Sequence, residues 1–388
     1  MTNLDRGFEV AEFERRTARA QKMMAEEKLD AIFLTTEPNV RYFSGFFTQF
    51  WESPTRPWFL IVPAAGKPIA VIPEIGASGM AGTWIDDIRT WASPNPADDG
   101  VSLVADTLNN LPRRHGRIGA TLGIESHLRM PYNNFMALSA RLKGAEFVDI
   151  AACIHRLRAV KSTAEIEKIR KACDIAHQGF VNIPNHASIG RTERDICKQM
   201  RIDMINAGAD SVKYLICGSG PDGYDSIIMG PTDRRLNRGD VLIIDVGAVY
   251  DGYFSDFDRN FAFGRPSDAT LNAYAAVYKA TDAGFEAARP GATTTDVYTA
   301  MWSVMEAAGA LGNDVGRLGH GLGIELTEWP SNTATDNTPL VPGMVITLEP
   351  GMMYAPGKSM VHEENLVITE DGAEYLSVRC SPELIIID

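Results

Sequence analysis

The segment "VLIIDVGAVYDGYFSDFDRNFAFG", residues 241–264, decides how this chain is read. VLIID has the composition of a buried strand, VYDG is a turn signal, and YFSDFDRNFAF returns with alternating character. Together they predict a β-hairpin. Four aspartates lie in it: Asp245, Asp251, Asp256 and Asp258. A two-residue turn at Asp251-Gly252 sets Asp245 opposite Asp258, whereas a four-residue loop over 249–252 sets it opposite Asp256. Either register puts Asp245, Asp256 and Asp258 on one face, because side chains alternate along a strand. Like charges facing each other across a hairpin are destabilising. A raised pKa, an arginine partner or a bound cation would relieve them, and Arg259 falls on the other face by strand parity. Most charged hairpin faces are simply solvated, but the apolar flanks mark this one as core. The expectation is a polar site opening onto the acidic face.

Outward from the hairpin, STAE at 162–165 has the form of a capping box, and Ile166, Ile169, Cys173, Ala176 and Phe180 follow at helical spacing. Further helices are expected near 192–207, 268–288 and 295–309. Ahead of the capping box, the basic stretch HRLRAVK (155–161) lacks periodicity and marks a domain boundary. The domains are expected at 1–157 and 158–388. In the first, a helix over 13–27, strands over 29–36, 58–73 and 116–126, and a helix near 132–143 alternate as in an α/β domain. The fold class expected is α/β (α+β).

A length of 388 residues suits two domains, and 45% apolar with 22% charged residues suits a globular chain with a sizeable core. The net charge of −13 argues against nucleic acid and against anionic membranes, which need basic patches. Five cysteines, with no C-x-x-C pair, read as reduced thiols and point to a cytoplasmic protein. No signal peptide or membrane span is expected.

Three further pieces carry chemistry. RLGHGLGIELTEWP (317–330) sets His320 between glycines, which permit close backbone approach. VPGMVITLEPGMMY (341–354) ends an apolar strand at Glu349, and SMVHEENLVITEDG (359–372) puts Glu363 before another, with His362 and Glu364 beside it. Each alone has an ordinary structural reading. With Asp245 and Asp256 they make four carboxylates and one imidazole, a set suited to two Mn, Fe, Co or Zn ions rather than to structural zinc. Two such ions about 3.5–4 Å apart can clamp a tetrahedral intermediate.

In order and local context Asp245, Asp256, His320, Glu349 and Glu363 resemble the dinuclear metal ligands of the pita-bread family, which includes methionine aminopeptidase, Xaa-Pro peptidases and creatinase. The resemblance covers about residues 160–388, and the first 150 resemble the N-terminal domain of creatinase and prolidase. It implies a homodimer in which one subunit's N-terminal domain reaches over the other's site. Two histidines and an arginine of the peptidases are replaced here, by Ile228 or a neighbour, by Thr327 and by Val361. On these departures, and on strings such as GSGPDGYDSIIMGPT and MVHEEN, the chain resembles the family's ectoine hydrolases. They open a cyclic amidine to an N-acetylated diaminobutyrate. The expected substrate is then a small zwitterion, with Glu349, Glu363 and Asp256 catalytic and Trp51, Tyr224, Asp225 and Trp329 touching it. An amidinium carbon is already activated, so attack neutralises charge and an oxyanion donor has little to do. A metal-free carboxylate mechanism stays open beside the metal-assisted one. Alternatives are an Xaa-Pro dipeptidase or aminopeptidase, a dimethylsulfoniopropionate lyase, which Gly247 disfavours, and a non-catalytic binding member.

Overall fold

In the computed structural model, which describes residues 6–313 and 316–388, the chain divides into two units, Met1–Leu157 and Arg158–Asp388. The first unit has six strands: β1 (Ala31–Leu34), β2 (Phe59–Pro63), β3 (Ile69–Pro73), β4 (Asp87–Trp91), β5 (Arg117–Ala120) and β6 (Glu146–Asp149). They form one sheet in the order β4-β3-β2-β1-β5-β6. β2 is antiparallel to β1 and β3, and the outer pairs are parallel. β1, β2 and β3 are buried throughout, which is why they read as apolar runs rather than alternating ones. Val104, Leu108 and Leu138, from the helices Val101–Asn109 and Tyr132–Arg141, pack with Phe33, Phe59 and Trp91.

The second unit opens with the helix Thr163–Val181, whose capping box is formed. The Ser162 hydroxyl accepts from Glu165 N–H, and the Glu165 carboxylate accepts from Ser162 N–H. The helix Glu193–Asn206 follows. Strands β7 (Ser211–Pro221), β8 (Asp240–Tyr250), β9 (Tyr253–Phe254) and β10 (Phe257–Phe263) precede the helices Asp268–Ala287 and Thr294–Ala307. Then come β11 (His320–Gly321), β12 (Glu328–Ser331), β13 (Val345–Leu348), β14 (Gly351–Ala355), β15 (Lys358–Val361), β16 (Glu364–Ile368), β17 (Ala373–Tyr375) and β18 (Ile385–Ile387). One sheet runs β18-β10-β8-β7 with β9 on β8, a second runs β12-β11-β13-β16-β17, and β14 and β15 form a ribbon. The helix pair packs Val277, Met301 and Met305 against Ile346, Leu348 and Leu366 of the second sheet. Among the described residues no helix is long and apolar enough to cross a membrane.

Of the two hairpin registers the sequence admits, the structure takes the two-residue turn. Asp251 and Gly252 have φ of 48° and 84°, the left-handed pair that matches the twist of the flanking strands. Tyr250 pairs with Tyr253, and the register carries through to place Asp245 opposite Asp258. The ladder is interrupted only at Ser255 and Asp256, between β9 and β10.

Candidate active site

The first sheet of the second unit supplies two carboxylates. Asp245 sits in the middle of β8, flanked by Ile216 on β7 and Asp258 on β10. The Tyr214 side chain stands by its carboxylate and pulls its pKa down. Asp256 lies in the break of the hairpin, where its backbone has no strand partner. Asn365 takes that place: its Oδ1 accepts from Asp256 N–H at 2.9 Å and its side-chain amide donates to the Asp256 carbonyl. The break thus aims Asp256 inward without leaving its peptide groups unsatisfied.

The second sheet supplies the other three. Gly319 has φ of 129°, and a Cβ on it would lie 2.2 Å from the Thr347 carbonyl oxygen, so only glycine lets β11 lie this close to β13. His320 N–H donates to Thr347 Oγ1 at 3.1 Å. Its Nδ1–H donates to the Gly321 carbonyl at 2.9 Å, and Nε2 stands 3.3 Å from Asp256 Oδ2. This is the tautomer of a metal-ligating histidine, its far nitrogen anchored on a carbonyl. Leu348 pairs with Glu364, and continuing that register sets Glu349 opposite Glu363. Glu349 N–H donates to the Leu318 carbonyl at 3.0 Å. Asp256, His320 and Glu363 each offer a donor atom within 4.8 Å of the others.

The electrostatics are those of buried carboxylates crowded together. Burial first, then mutual repulsion with Asp256 and Glu349, holds Asp245 well above the usual carboxylate range. Glu363 is raised by burial and by four neighbouring carboxylates, and Asp258 by burial and by Asp245. Burial raises Asp256, with Arg317 opposing. Glu349, partly open to solvent, is pushed up to about 6 by burial against the opposing pull of His320. Asp245 Oδ1, Asp256 Oδ1 and Glu363 Oε1 have no hydrogen-bond partner among the described residues. Each such buried acceptor costs about 1–3 kcal/mol. Three orphaned carboxylate oxygens, a fourth carboxylate and an imidazole nitrogen facing another acceptor fit divalent cations. Oxygen-rich donors with one nitrogen suit Mn, Co or Zn at a catalytic position.

The structure gathers all five expected ligands, and the expected substrate contacts have different settings. Tyr224 is buried, donating to Asn260 Oδ1 at 2.9 Å and accepting from Val361 N–H at 2.8 Å. Trp329 is half-buried against the core of its unit. Trp51, in the first unit, is buried with its ring 6.1 Å from Trp58 and the Arg129 guanidinium 4.8 Å above it. Asp225 is exposed and lines a cavity of about 380 Å³ with Ile227, Ile228, Met352, Met353 and Val361. That cavity is walled by β14 and β15, which begin two residues after Glu349 and end two before Glu363. Sequence reasoning left out Tyr214, Asn365 and Arg317, and no local motif announces them. A second donor group, His362, Glu364 and Cys380, is already served by cations: Arg259 reaches Glu364 at 3.1 Å and Arg379 reaches His362 Nε2 at 2.9 Å.

The profile of Metallopeptidase family M24 matches residues 167–371, and that of the Creatinase/Prolidase N-terminal domain matches residues 16–160. The chain is 33% identical to the probable dipeptidase PepE of Mycobacterium tuberculosis over 388 residues, covering 98% of each. It is 30% identical to an Xaa-Pro dipeptidase of Pyrococcus furiosus, covering 92% of this chain and 96% of that one. The crystal structure of dipeptidase PepE from Mycobacterium ulcerans superposes with a TM-score of 0.85 at 30% identity, over 98% of this chain and 99% of that one. The fold is thus a creatinase-like N-terminal domain followed by a pita-bread domain.

Proposed function

This chain belongs to metallopeptidase family M24, and we propose that it hydrolyses a C–N bond of a small zwitterionic substrate of about dipeptide size. The observation that carries this reading is the cluster of Asp256, His320 and Glu363 with Asp245 and Glu349 in electrostatic contact, and with three carboxylate oxygens left without a donor among the described residues. Enzymes of this family use two divalent ions, manganese, cobalt or zinc. When bound, such ions polarise the scissile group and lower the pKa of water. The five residues would hold them. Glu349, partly open to solvent at the end of β13, is placed for general acid–base work. It takes the proton of the attacking water and returns it to the leaving nitrogen. Asn365 keeps the Asp256 backbone in place while this happens.

Two substrates fit. Relatives named dipeptidase and Xaa-Pro dipeptidase, at about one-third identity over the whole chain, favour a dipeptide. The cavity walled by the ribbon that connects Glu349 to Glu363 lies, at about 380 Å³, at the small end of the range for ligand pockets, roughly 300–1,000 Å³. The second substrate, ectoine, is favoured by the side chains bordering the site. Ile228 and Val361 line the cavity and Thr327 is exposed. None of the three is an imidazole or guanidinium able to hold an oxyanion, and hydrolysis of an amidinium needs none. Incubation of the manganese-loaded protein with leucyl-proline and with ectoine, followed by mass analysis for the gain of one water, decides between them. Turnover of neither refutes the reading. Chelation is expected to abolish activity and manganese to restore it; full activity in the metal-free protein would remove the ions from the mechanism. The family resemblance also supports a homodimer, which light scattering on a sizing column tests.

A further inference from the structure

His320 turns toward Asp256 because its ring is held from behind. Nδ1–H donates to the Gly321 carbonyl at 2.9 Å, and Nε2 stands 3.3 Å from Asp256 Oδ2. The direction of the ring therefore depends on where the Gly321 peptide sits. A β-bulge falls at this point: His320 pairs with Ser331, but Gly321 pairs with Glu328. Bulges of this kind re-aim side chains beside active sites. Gly321 lies tight against β12, since a Cβ on it would be 2.4 Å from the Trp329 carbonyl oxygen. Between the paired residues Gly321 and Glu328 the chain makes a loop, and the Glu328 carboxylate fills the inside of it. A Cβ on Gly323 would lie 2.8 Å from Glu328 Oε2.

Glu328 is buried, and both its oxygens are engaged. Oε1 accepts from Arg158 Nη2 and from Glu325 N–H at 3.2 Å, and Oε2 accepts from Lys161 Nζ at 3.0 Å. Arg158 also donates to Glu325 Oε2 at 2.6 Å. Arg158 and Lys161 are themselves buried. Against burial, which raises it, the two cations pull the Glu328 pKa down to about 2. Well-packed apolar side chains often stabilise an interior as well as such an ionic cluster does. What the cluster adds is direction, because each donor fixes a line to one oxygen. The loop it shapes also reaches the hairpin. The Gly323 carbonyl accepts from Phe254 N–H at 2.9 Å, two residues before Asp256. Leu326 packs on Gly247, two residues after Asp245, where a Cβ would lie 2.5 Å from Leu326 Cδ1.

We propose that Glu328, gripped by Arg158 and Lys161, is a positioning residue of the site. It shapes the loop after His320 so that the imidazole and the break in the hairpin are set in place before any cation binds. For cation affinity this rests on the functional reading above; the direction of the His320 ring is a property of the metal-free protein and does not.

Two variants disturb the carboxylate while keeping its charge for the buried cations. Glu328→Asp draws it back from Glu325 N–H, and Gly323→Ala sets a methyl group against it. In the metal-free wild type, proton–nitrogen correlation spectra of the imidazoles are expected to show His320 in a single form, protonated at Nδ1. Both variants should lose that single form. Titration calorimetry, at a temperature where each is folded by circular dichroism, should find manganese bound roughly 10–100-fold more weakly. The wild-type His320 form, or unchanged manganese affinity, in a folded variant overturns the inference and leaves Glu328 a contributor to stability alone. A wild type whose His320 is protonated at Nε2 overturns it too. Should Glu328→Asp fail to fold, Gly323→Ala carries the comparison. A wild type that binds no manganese refutes the ligand reading, and the imidazole spectra then decide the positioning role by themselves.

Discussion

The side chains of the site trade stability for ion binding. Glu363 is 1% exposed, surrounded by carboxylates, and has one oxygen without a donor. Glu363→Gln removes a charge that nothing in the metal-free protein balances, and its amide can donate to the carboxylates around it. The variant is expected to melt a few degrees higher than the wild type in metal-free buffer at pH 8, since about 1 kcal/mol moves Tm by roughly 2–4 °C at this size. It should also bind manganese at least about a hundredfold more weakly and lose turnover. Calorimetric melts and manganese titration check both arms, and a lower metal-free Tm would contradict the account. His320 and the four acids were legible from the sequence because each sits in its own short motif of strand end, turn or glycine. Tyr214 and Asn365 were not. Each acts on a residue far away in the chain, Asn365 on Asp256 across 109 positions, and no local pattern encodes such a pairing.

Strands and turns fix the geometry to which those side chains are attached. Asn365, the second residue of β16, satisfies both peptide groups of Asp256. Asn365→Ala leaves two buried groups without partners, at about 1–3 kcal/mol each, and frees the Asp256 carboxylate to turn. The expected result is a lower Tm together with a roughly 10–100-fold loss of manganese affinity. Loss of stability with unchanged affinity would mean that Asn365 only supports the fold. Gly319→Ala strikes the Thr347 carbonyl and must adopt φ near 129°. A cost of about 2–4 kcal/mol in urea unfolding is expected. The hairpin shows what the elements reveal to a reader of sequence. Its existence and its Asp-Gly turn follow from composition, but two registers fit equally well. A shift of register changes which aspartate opposes Asp245, and only the left-handed pair Asp251-Gly252 selects one.

For the whole molecule, the acidic cluster sets a pH dependence. In the metal-free protein Glu349 has its pKa raised from 4.5 to about 6, and Asp245, Asp256 and Glu363 are raised further above their ordinary values. A carboxyl raised on folding binds more protons folded than unfolded. Its favourable share is therefore present below about 4.5 and is lost as pH rises through the folded value. Glu349 alone accounts for about 2 kcal/mol across that window. Carboxylates shifted the other way, such as Asp30 and Asp149, act only below about pH 4. Metal-free protein is thus expected to melt at a lower temperature at pH 8 than at pH 5, and saturating manganese should reverse the order. A melting temperature that rises from pH 5 to 8 without metal would contradict the raised pKa values.

The sequence by itself determined the elements, the two-part division of the chain, the turn chemistry and the five candidate ligands. These rest on patterns a few residues long: period two or 3.6, capping residues, glycine and proline. The tertiary structure decided the register, the meeting of two sheets that carry the ligands, the seating of Tyr224 and Trp329 against the core, and the arrival of Tyr214, Asn365 and Arg317 at the site. It also decided that the acids are raised rather than solvated. Desolvation and Coulomb energy depend on distances between residues far apart in the chain, and those distances exist only once the sheets have packed.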